Sequence, residues 1–279
     1  MFNQKLKNKV IVVTGGSGGI GNTIVNKLAS YETNVVSVFN QNPPSDPSYS
    51  NILWLQADVT NPDNIDKLLT FTLQKFERID ILINSAGILK PGDFSSLDIN
   101  QLKKMIDVNF TSTLLITQKV LSIMKSQRIG HIINIGSLGG IVPMPYSAVY
   151  SATKFALRGF SLSLFEELKG TNVKLSLITP GSVITKMLDY EAEADNSAIS
   201  FLSEPISPIE VADTVFRVIQ KPRIEKIIPY NQSFGSKLLV MSPKLFSVAY
   251  RFLHRIGLSG KRKYLNRYCN FSLLRGASR

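Results

Sequence analysis

Short, unbroken apolar runs alternate with helix-length segments from residue 9 to about residue 229, and that rhythm leaves the chain few architectures. Lys9 to Thr14 (KVIVVT), Val35 to Phe39, Ile52 to Ala57, Ile79 to Ile83, His131 to Ile135 and Val173 to Ile178 read as strands. They are apolar at successive positions rather than alternate ones, the mark of strands buried on both faces. Between them apolar residues recur at helical spacing. Ile24, Val25 and Leu28 follow the first strand, and Ile65, Leu68, Leu69, Leu73 and Phe76 follow an Asn61-Pro62-Asp63 start. Asn100 to Met124 and Tyr150 to Leu168 read as longer helices. Ser207-Pro208-Ile209-Glu210 is a capping box with proline at the first helical position, opening a helix through Val218. Strand–helix–strand units joined by right-handed crossovers give an α/β fold, a doubly wound parallel sheet with helices on both sides. No linker interrupts the alternation before about residue 230. Residues 1–230 therefore read as one domain and residues 231–279 as a C-terminal helical extension.

Composition narrows what such a domain does. Of 279 residues 44% are hydrophobic and 19% charged, enough for a large core and too apolar for a disordered chain. No run reaches the ~18 apolar residues of a membrane span. The lysine-dotted start, MFNQKLKNKVIVVTGG, has no signal-peptide core. One cysteine, Cys269, permits no internal disulfide, and with only His131 and His254 no metal centre is expected. These features point to a reducing cytoplasm. The net charge of +12 is concentrated at one end: residues 1–216 carry 18 Lys and Arg against 19 Asp and Glu, whereas residues 217–279 carry 14 against Glu225 alone. The body is electrically ordinary, so nucleic acid is not an expected partner.

Thr14-Gly15-Gly16-Ser17-Gly18-Gly19-Ile20-Gly21 joins the first strand to the first helix. A phosphate held by backbone N–H groups needs positions without side chains in its way, and a helix N-terminus adds partial positive charge. In that setting the turn reads as the nucleotide site of a Rossmann fold. Tyr150-Ser151-Ala152-Thr153-Lys154 sets a phenol and an ammonium four residues apart on one helical face. A free phenol has a pKa of ~10, and a neighbouring cation lowers it toward the range useful for proton transfer. Ser137, just beyond a strand, stands on the carboxyl edge of the sheet, where its hydroxyl can hold a substrate oxygen.

The TGxxxGIG spacing, with Ser137 thirteen residues before Tyr-x-x-x-Lys, resembles the short-chain dehydrogenase/reductase family over about residues 9–229. The resemblance implies an NAD(P)-dependent oxidoreductase. It implies Asn109 as a fourth catalytic residue beside Ser137, Tyr150 and Lys154, in a helix kinked so that a main-chain carbonyl holds a water in a relay to Lys154. It also implies cofactor contacts from Gly15, Ser17, Gly18, Gly19, Ile20 and Gly21, and from Asn40, Asp58 and Val59 around the adenosine. Asn84, Ala86 and Gly87 would follow, then Tyr150 and Lys154 at the nicotinamide ribose. Pro180, Gly181, Val183, Ile184 and Thr185 would frame the nicotinamide. Asn84-Ser85-Ala86-Gly87 departs from the family's NNAG at Ser85, leaving the mainly structural Asn84.

Phe39 stands where an NAD-binding acid is expected, and Gly16 and Asn40 stand where NADP-binding arginines are usual. With no carboxylate to repel a 2′-phosphate, and Ser37, Asn40 and Gln41 offering neutral hydrogen bonds, the reading leans to NADP. Lys186 to Pro205 is expected to form a substrate lid, with Met187, Leu188, Tyr190, Ile199, Phe201 and Leu202 around Glu191, Glu193 and Asp195. With Leu138, Ile141, Val142, Met144 and Pro145, these residues either line an apolar pocket or pack the lid. Ser137, Leu138, Met144, Tyr150 and Met187 are the expected substrate contacts. The substrate would be a hydrophobic alcohol or ketone, lipid-like or 3-oxoacyl compounds included. The competing reading is a non-catalytic NAD(P)-binding scaffold or redox sensor, against which the joint presence of Asn109, Ser137, Tyr150 and Lys154 argues.

In the extension, Ser242-Pro243 resembles a helix start and Gly257 a stop, with Leu245, Val248, Ala249, Phe252 and Ile256 between them. Lys244, Arg251 and Arg255 lie elsewhere on this helix, and Lys261, Arg262, Lys263 and Arg267 follow. Residues 243–267 either dock on the protein itself or a partner subunit, or make a peripheral contact with an anionic membrane. The helices from Gln101 and Tyr150 are expected to pair in a homodimer or homotetramer.

Overall fold

A computed structural model describes residues 6–43, 49–194, 198–230 and 243–269. Seven parallel strands form one sheet: β1 (Val10–Thr14), β2 (Asn34–Phe39), β3 (Ile52–Gln56), β4 (Ile81–Asn84), β5 (Gly130–Ile135), β6 (Val173–Pro180) and β7 (Glu225–Ile228). Their order is β3-β2-β1-β4-β5-β6-β7. The winding reverses between β1 and β4, so the crevice for a ligand opens at their carboxyl ends, beside Thr14 and Asn84.

Alternate residues of each strand serve two cores. Ile11, Val13, Val35 and Ile83 pack with α1 (Gly19–Ala29) and α7 (Pro208–Gln220). Val12, Val36, Val38 and Leu82 pack on the other face with α2 (Pro62–Phe76), α4 (Ser112–Gln127) and α5 (Ala148–Glu167). This two-sided burial is what the unbroken apolar runs encode. Buried Asp80 pins the amino end of the sheet: its carboxylate accepts from the Val10 N–H at 2.9 Å and pairs with Lys9 and Arg78.

The expected helix over Asn100–Met124 is α3 (Ile99–Ile106) and α4, joined by a π turn over Asp107–Thr111 that contains Asn109. Two elements escaped the sequence. β7 is short and half-buried, and α6 (Lys186–Glu193) lies inside the lid.

Gly257 is not a stop. Helix α8 (Pro243–Tyr264) runs through it, because a Cβ at Gly257 would lie 2.2 Å from the Ala198 carbonyl oxygen and one at Gly260 2.0 Å from that of Phe201. The two glycines let the helix backbone lie directly on the lid. Lys261 bonds the Ala194 carbonyl, Tyr264 donates to Asp189 at 2.7 Å, and Arg267 pairs with Glu204. Residues 231–242 and 270–279, Ser242 among them, and Asp195 lie outside the described residues, as do the side chains of Leu245 and Cys269. No helix among the described residues is long and apolar enough to cross a membrane.

Candidate active site

The glycine turn is shaped by what it abuts. Gly15 has φ +64°, and a Cβ there would lie 2.7 Å from the Ala86 Cα, so the turn presses on the end of β4. Gly18 is the N-cap of α1 and supplies no side-chain cap, which leaves the first helical N–H groups facing outward. A Cβ at Gly19 would fall 2.6 Å from the Thr185 Cγ2. That contact brings the Pro180–Thr185 segment against the phosphate-type turn, two stretches far apart in the chain.

Tyr150 and Lys154 are both buried on the first turns of α5. The turn after β5 packs on them: Ser137 Oγ accepts from the Gly139 N–H at 3.0 Å, and Ser151 Oγ donates to the Gly139 carbonyl at 2.7 Å. Lys154 Nζ donates to the Ile135 carbonyl at 3.2 Å and lies 5.7 Å from the centre of the Tyr150 ring. The absent Cβ of Gly87 would be 3.5 Å from Asn109 Oδ1 and 3.8 Å from Lys154 Nζ, so these three meet behind the tyrosine. Asn109 is fully buried; its Oδ1 accepts from the Ile88 N–H at 2.7 Å, and its Nδ2 donates to the Ile88 carbonyl at 2.9 Å and to Thr153 Oγ1 at 3.2 Å.

The electrostatics correct one expectation. Burial pushes the Tyr150 phenol up to about 12, opposed by its hydrogen bond with Ser137 and reinforced by the Glu191 carboxylate. Burial likewise pushes the Lys154 ammonium down to about 8. In the protein chain by itself, desolvation of the phenol outweighs its hydrogen bond with Ser137.

A cavity of about 490 Å³ opens at this point. Ser137, Leu138, Met144, Tyr150 and Met187 all line it, as do Ile20, Pro180, Gly181, Val183 and Thr185 from the expected cofactor set. Lid residues divide: Ile199 and Leu202 face the cavity, Leu188 both lines it and joins Phe201 and Tyr264 in a small core against which the preceding Ile184 packs, and Tyr190 is exposed. Ile184 therefore supports the wall rather than forming it, and Ile141 belongs to a separate cluster beside β7. Leu89, Ser200 and Ser203 also line the cavity, with Ala249 and Leu253 of α8. The four-residue spacing of Ala249 and Leu253 was the available signal for the last pair. Glu191 is a buried carboxylate on this wall, held by a hydrogen bond from Ser200 Oγ at 2.6 Å.

Asn40 and Asp58 share a second cavity of about 290 Å³ with Lys103, Lys104 and Val108, where Asp58 Oδ1 accepts from the N–H and hydroxyl of Thr60. Val59 packs its side chain into the core. Asn84 is placed differently from a ligand-contacting residue. Its Nδ2 donates to Asn134 Oδ1 at 2.8 Å and to Thr117 Oγ1 at 3.1 Å, between the sheet and α4.

A parallel Rossmann sheet with an uncapped glycine turn at its switch point, and a buried Ser-Tyr-Lys set beside an apolar cavity, defines a nicotinamide-dependent oxidoreductase. The family profile described as short chain dehydrogenase matches residues 9–196, and the chain belongs to that family. An oxidoreductase of Staphylococcus epidermidis is 39% identical over 189 residues, covering 66% of this chain and 82% of that protein. One from Staphylococcus saprophyticus is 31% identical over 228 residues, covering 78% and 93%. Among solved structures, a short chain dehydrogenase/reductase from Burkholderia phymatum in complex with NAD matches with a TM-score of 0.75 at 22% identity, covering 87% of this chain and 96% of that one. Ligand-free aldohexose dehydrogenase from Thermoplasma acidophilum matches at 0.69 with 22% identity, covering 80% and 93%. These two show likeness of fold.

Proposed function

We propose that the protein interconverts a hydrophobic ketone and its alcohol, with Asn109, Ser137, Tyr150 and Lys154 as the catalytic set. The observation that carries this reading is the hydrogen-bonded pair of hydroxyls, Ser137 and Tyr150, on the wall of an otherwise apolar cavity. Ser137 holds the carbonyl oxygen and stabilises the charge that develops on it. Tyr150 donates its phenolic proton to that oxygen as the alcohol forms, and takes the proton back in the reverse direction. Lys154 sets its ammonium beside the phenol to favour the phenolate left behind. Asn109 clamps the backbone at Ile88 and keeps the π turn open, so that a main-chain carbonyl there can pass protons through water to Lys154. A bound nicotinamide supplies or takes up the hydride.

The outward N–H groups of α1 fit a pyrophosphate, and Thr185 and Lys154 would hold the nicotinamide end. NADP suits the adenosine end, because no acid ends β2 and Lys103 and Lys104 line the same cavity as Asn40, offsetting Asp58 and Asp107 there. Gly16 has no room for an arginine, since its Cβ would lie 1.9 Å from Ser37 Oγ. The catalytic domain spans residues 1–230 with a lid over 186–205, and the extension completes the substrate wall. A cytoplasmic homodimer or tetramer would form through α3 and α5, where Ile106 and Phe155 are exposed.

The test is a panel of apolar ketones followed by loss of reduced-nicotinamide absorbance, with NADPH and NADH compared. Turnover of apolar ketones with tighter NADPH binding is expected. Cofactor binding without turnover across the panel removes the enzymatic reading, and a strong NADH preference removes the NADP assignment.

A further inference from the structure

Helix α8 has two contrasting faces. Ala249 and Leu253 close the substrate cavity, and Gly257, Gly260 and Tyr264 rest on the lid. On an adjoining face, about 100° round the helix, Val248, Phe252 and Ile256, spaced four apart, are 74%, 68% and 41% exposed. Lys244, Arg251, Arg255 and Arg262 recur along one flank of that apolar row, and all four are exposed. Residues 231–279 hold ten Lys and Arg and no Asp or Glu.

Whatever covers this face must accept an apolar row and a parallel basic row together. A second copy would set each basic row against its own image, with no acid on the helix to pair with it. An anionic bilayer satisfies both demands: the apolar row enters the boundary between headgroups and acyl chains, while lysine and arginine stems reach up to the phosphates. We propose that α8 seats the protein on an anionic lipid bilayer through Val248, Phe252, Ile256 and the flanking basic row. Because an adjoining face of the same helix is a wall of the substrate cavity, the bilayer then lies within about one helix diameter of the site. Supply of an apolar ketone from that membrane rests on the function proposed above; the docking itself does not.

The experiment sediments the full-length protein with vesicles of phosphatidylcholine, with and without phosphatidylglycerol. More than about tenfold stronger partitioning onto the anionic vesicles is expected, falling steeply with salt. The double variant Val248→Ser/Phe252→Ser should weaken partitioning by at least about tenfold, given the transfer free energy of two such side chains. Its ketone turnover without vesicles should stay unchanged, which shows that the variant is folded. Equal recovery of wild type in the supernatant with both vesicle types overturns the proposal. So does a variant that turns an oligomer into a monomer by light scattering while leaving vesicle partitioning unaltered, since a second copy then covers the row. Pelleting without ketone turnover would leave the docking surface standing and remove only the reductase.

Discussion

Tyr150 and Lys154 pull against their surroundings, since burial opposes the charged form of each. A phenol held neutral is a good donor and a poor acceptor near neutrality, so direction and pH are linked. In the proposed reaction, ketone reduction uses the protonated phenol, whose pKa of about 12 keeps it loaded across the working range; its kcat should stay flat as pH rises. Alcohol oxidation needs the phenolate and should climb with pH. Measured kcat–pH profiles in the two directions check this, and a reduction rate that climbs with pH would contradict it. Tyr150→Phe removes the proton and should cut kcat by about 10²- to 10⁴-fold, with cofactor affinity near wild type by fluorescence titration. The four-residue spacing made this pair visible in the sequence. What stayed hidden was its desolvation, because the residues packed on it come from β5 and the turn after it, Gly87 and Asn109, far apart in the chain. Asn84 shows the same limit: its motif suggests a ligand contact, yet its partners Thr117 and Asn134 are known only once β4, β5 and α4 are assembled.

Elements were legible where local rules suffice. Asn61 caps α2 by accepting from the Asp63 N–H at 2.9 Å, and Ser207 and Glu210 close a capping box on α7, both as the sequence indicates. Tertiary contact decided the rest. β7 mixes Glu225 and Lys226 with two isoleucines, and it becomes a strand by pairing with β6; Glu225 is then held by Arg158 at 2.7 Å. Gly257 follows an apolar stripe as a terminating glycine would, but its role is to touch the lid backbone. That difference is testable. Gly257→Ala is mild for a helix that merely ends, and would even stabilise one that continues free in solvent. Against Ala198 it forces α8 off the lid, at a cost of about 1–3 kcal/mol. The expected result is a rise in KM for apolar ketones of about 5- to 100-fold with a smaller change in kcat, and faster proteolysis within residues 231–279. Wild-type KM together with unchanged proteolysis would show that the docking contributes nothing to the substrate wall.

For the whole molecule, three of the buried titratable groups show how stability follows pH in the absence of cofactor. His131, buried in β5 against Ser176, has its pKa lowered by burial from 6.5 to about 4, Lys174 adding to the effect. As pH falls from 6.5 to 4 the unfolded chain takes up a proton that the folded one refuses, so stability declines. Lys154 acts at the other end. Its ammonium has a pKa of 10.5 when unfolded and about 8 when folded, so between those values the unfolded chain binds the extra proton and stability rises with pH. Below 8 the fold carries a buried cation at a cost, which the proposed reaction accounts for, since that charge would be the counterion of the Tyr150 phenolate. Lys154→Met should therefore inactivate the enzyme while raising the melting temperature. The gain should be largest below pH 8 and shrink toward pH 10.5, where wild type has already shed the proton. Tyr150 works in the opposite sense above pH 10, where the unfolded phenol ionises and the folded one holds its proton to about 12, so stability falls again. Melting curves of wild type and Lys154→Met from pH 6 to 10 separate these contributions, since the histidine and tyrosine are common to both. A melting-temperature difference that stays constant across that range would mean that Lys154 is no less protonated in the fold than in water. The reaction chemistry assigned to its ammonium would then need no buried charge at all.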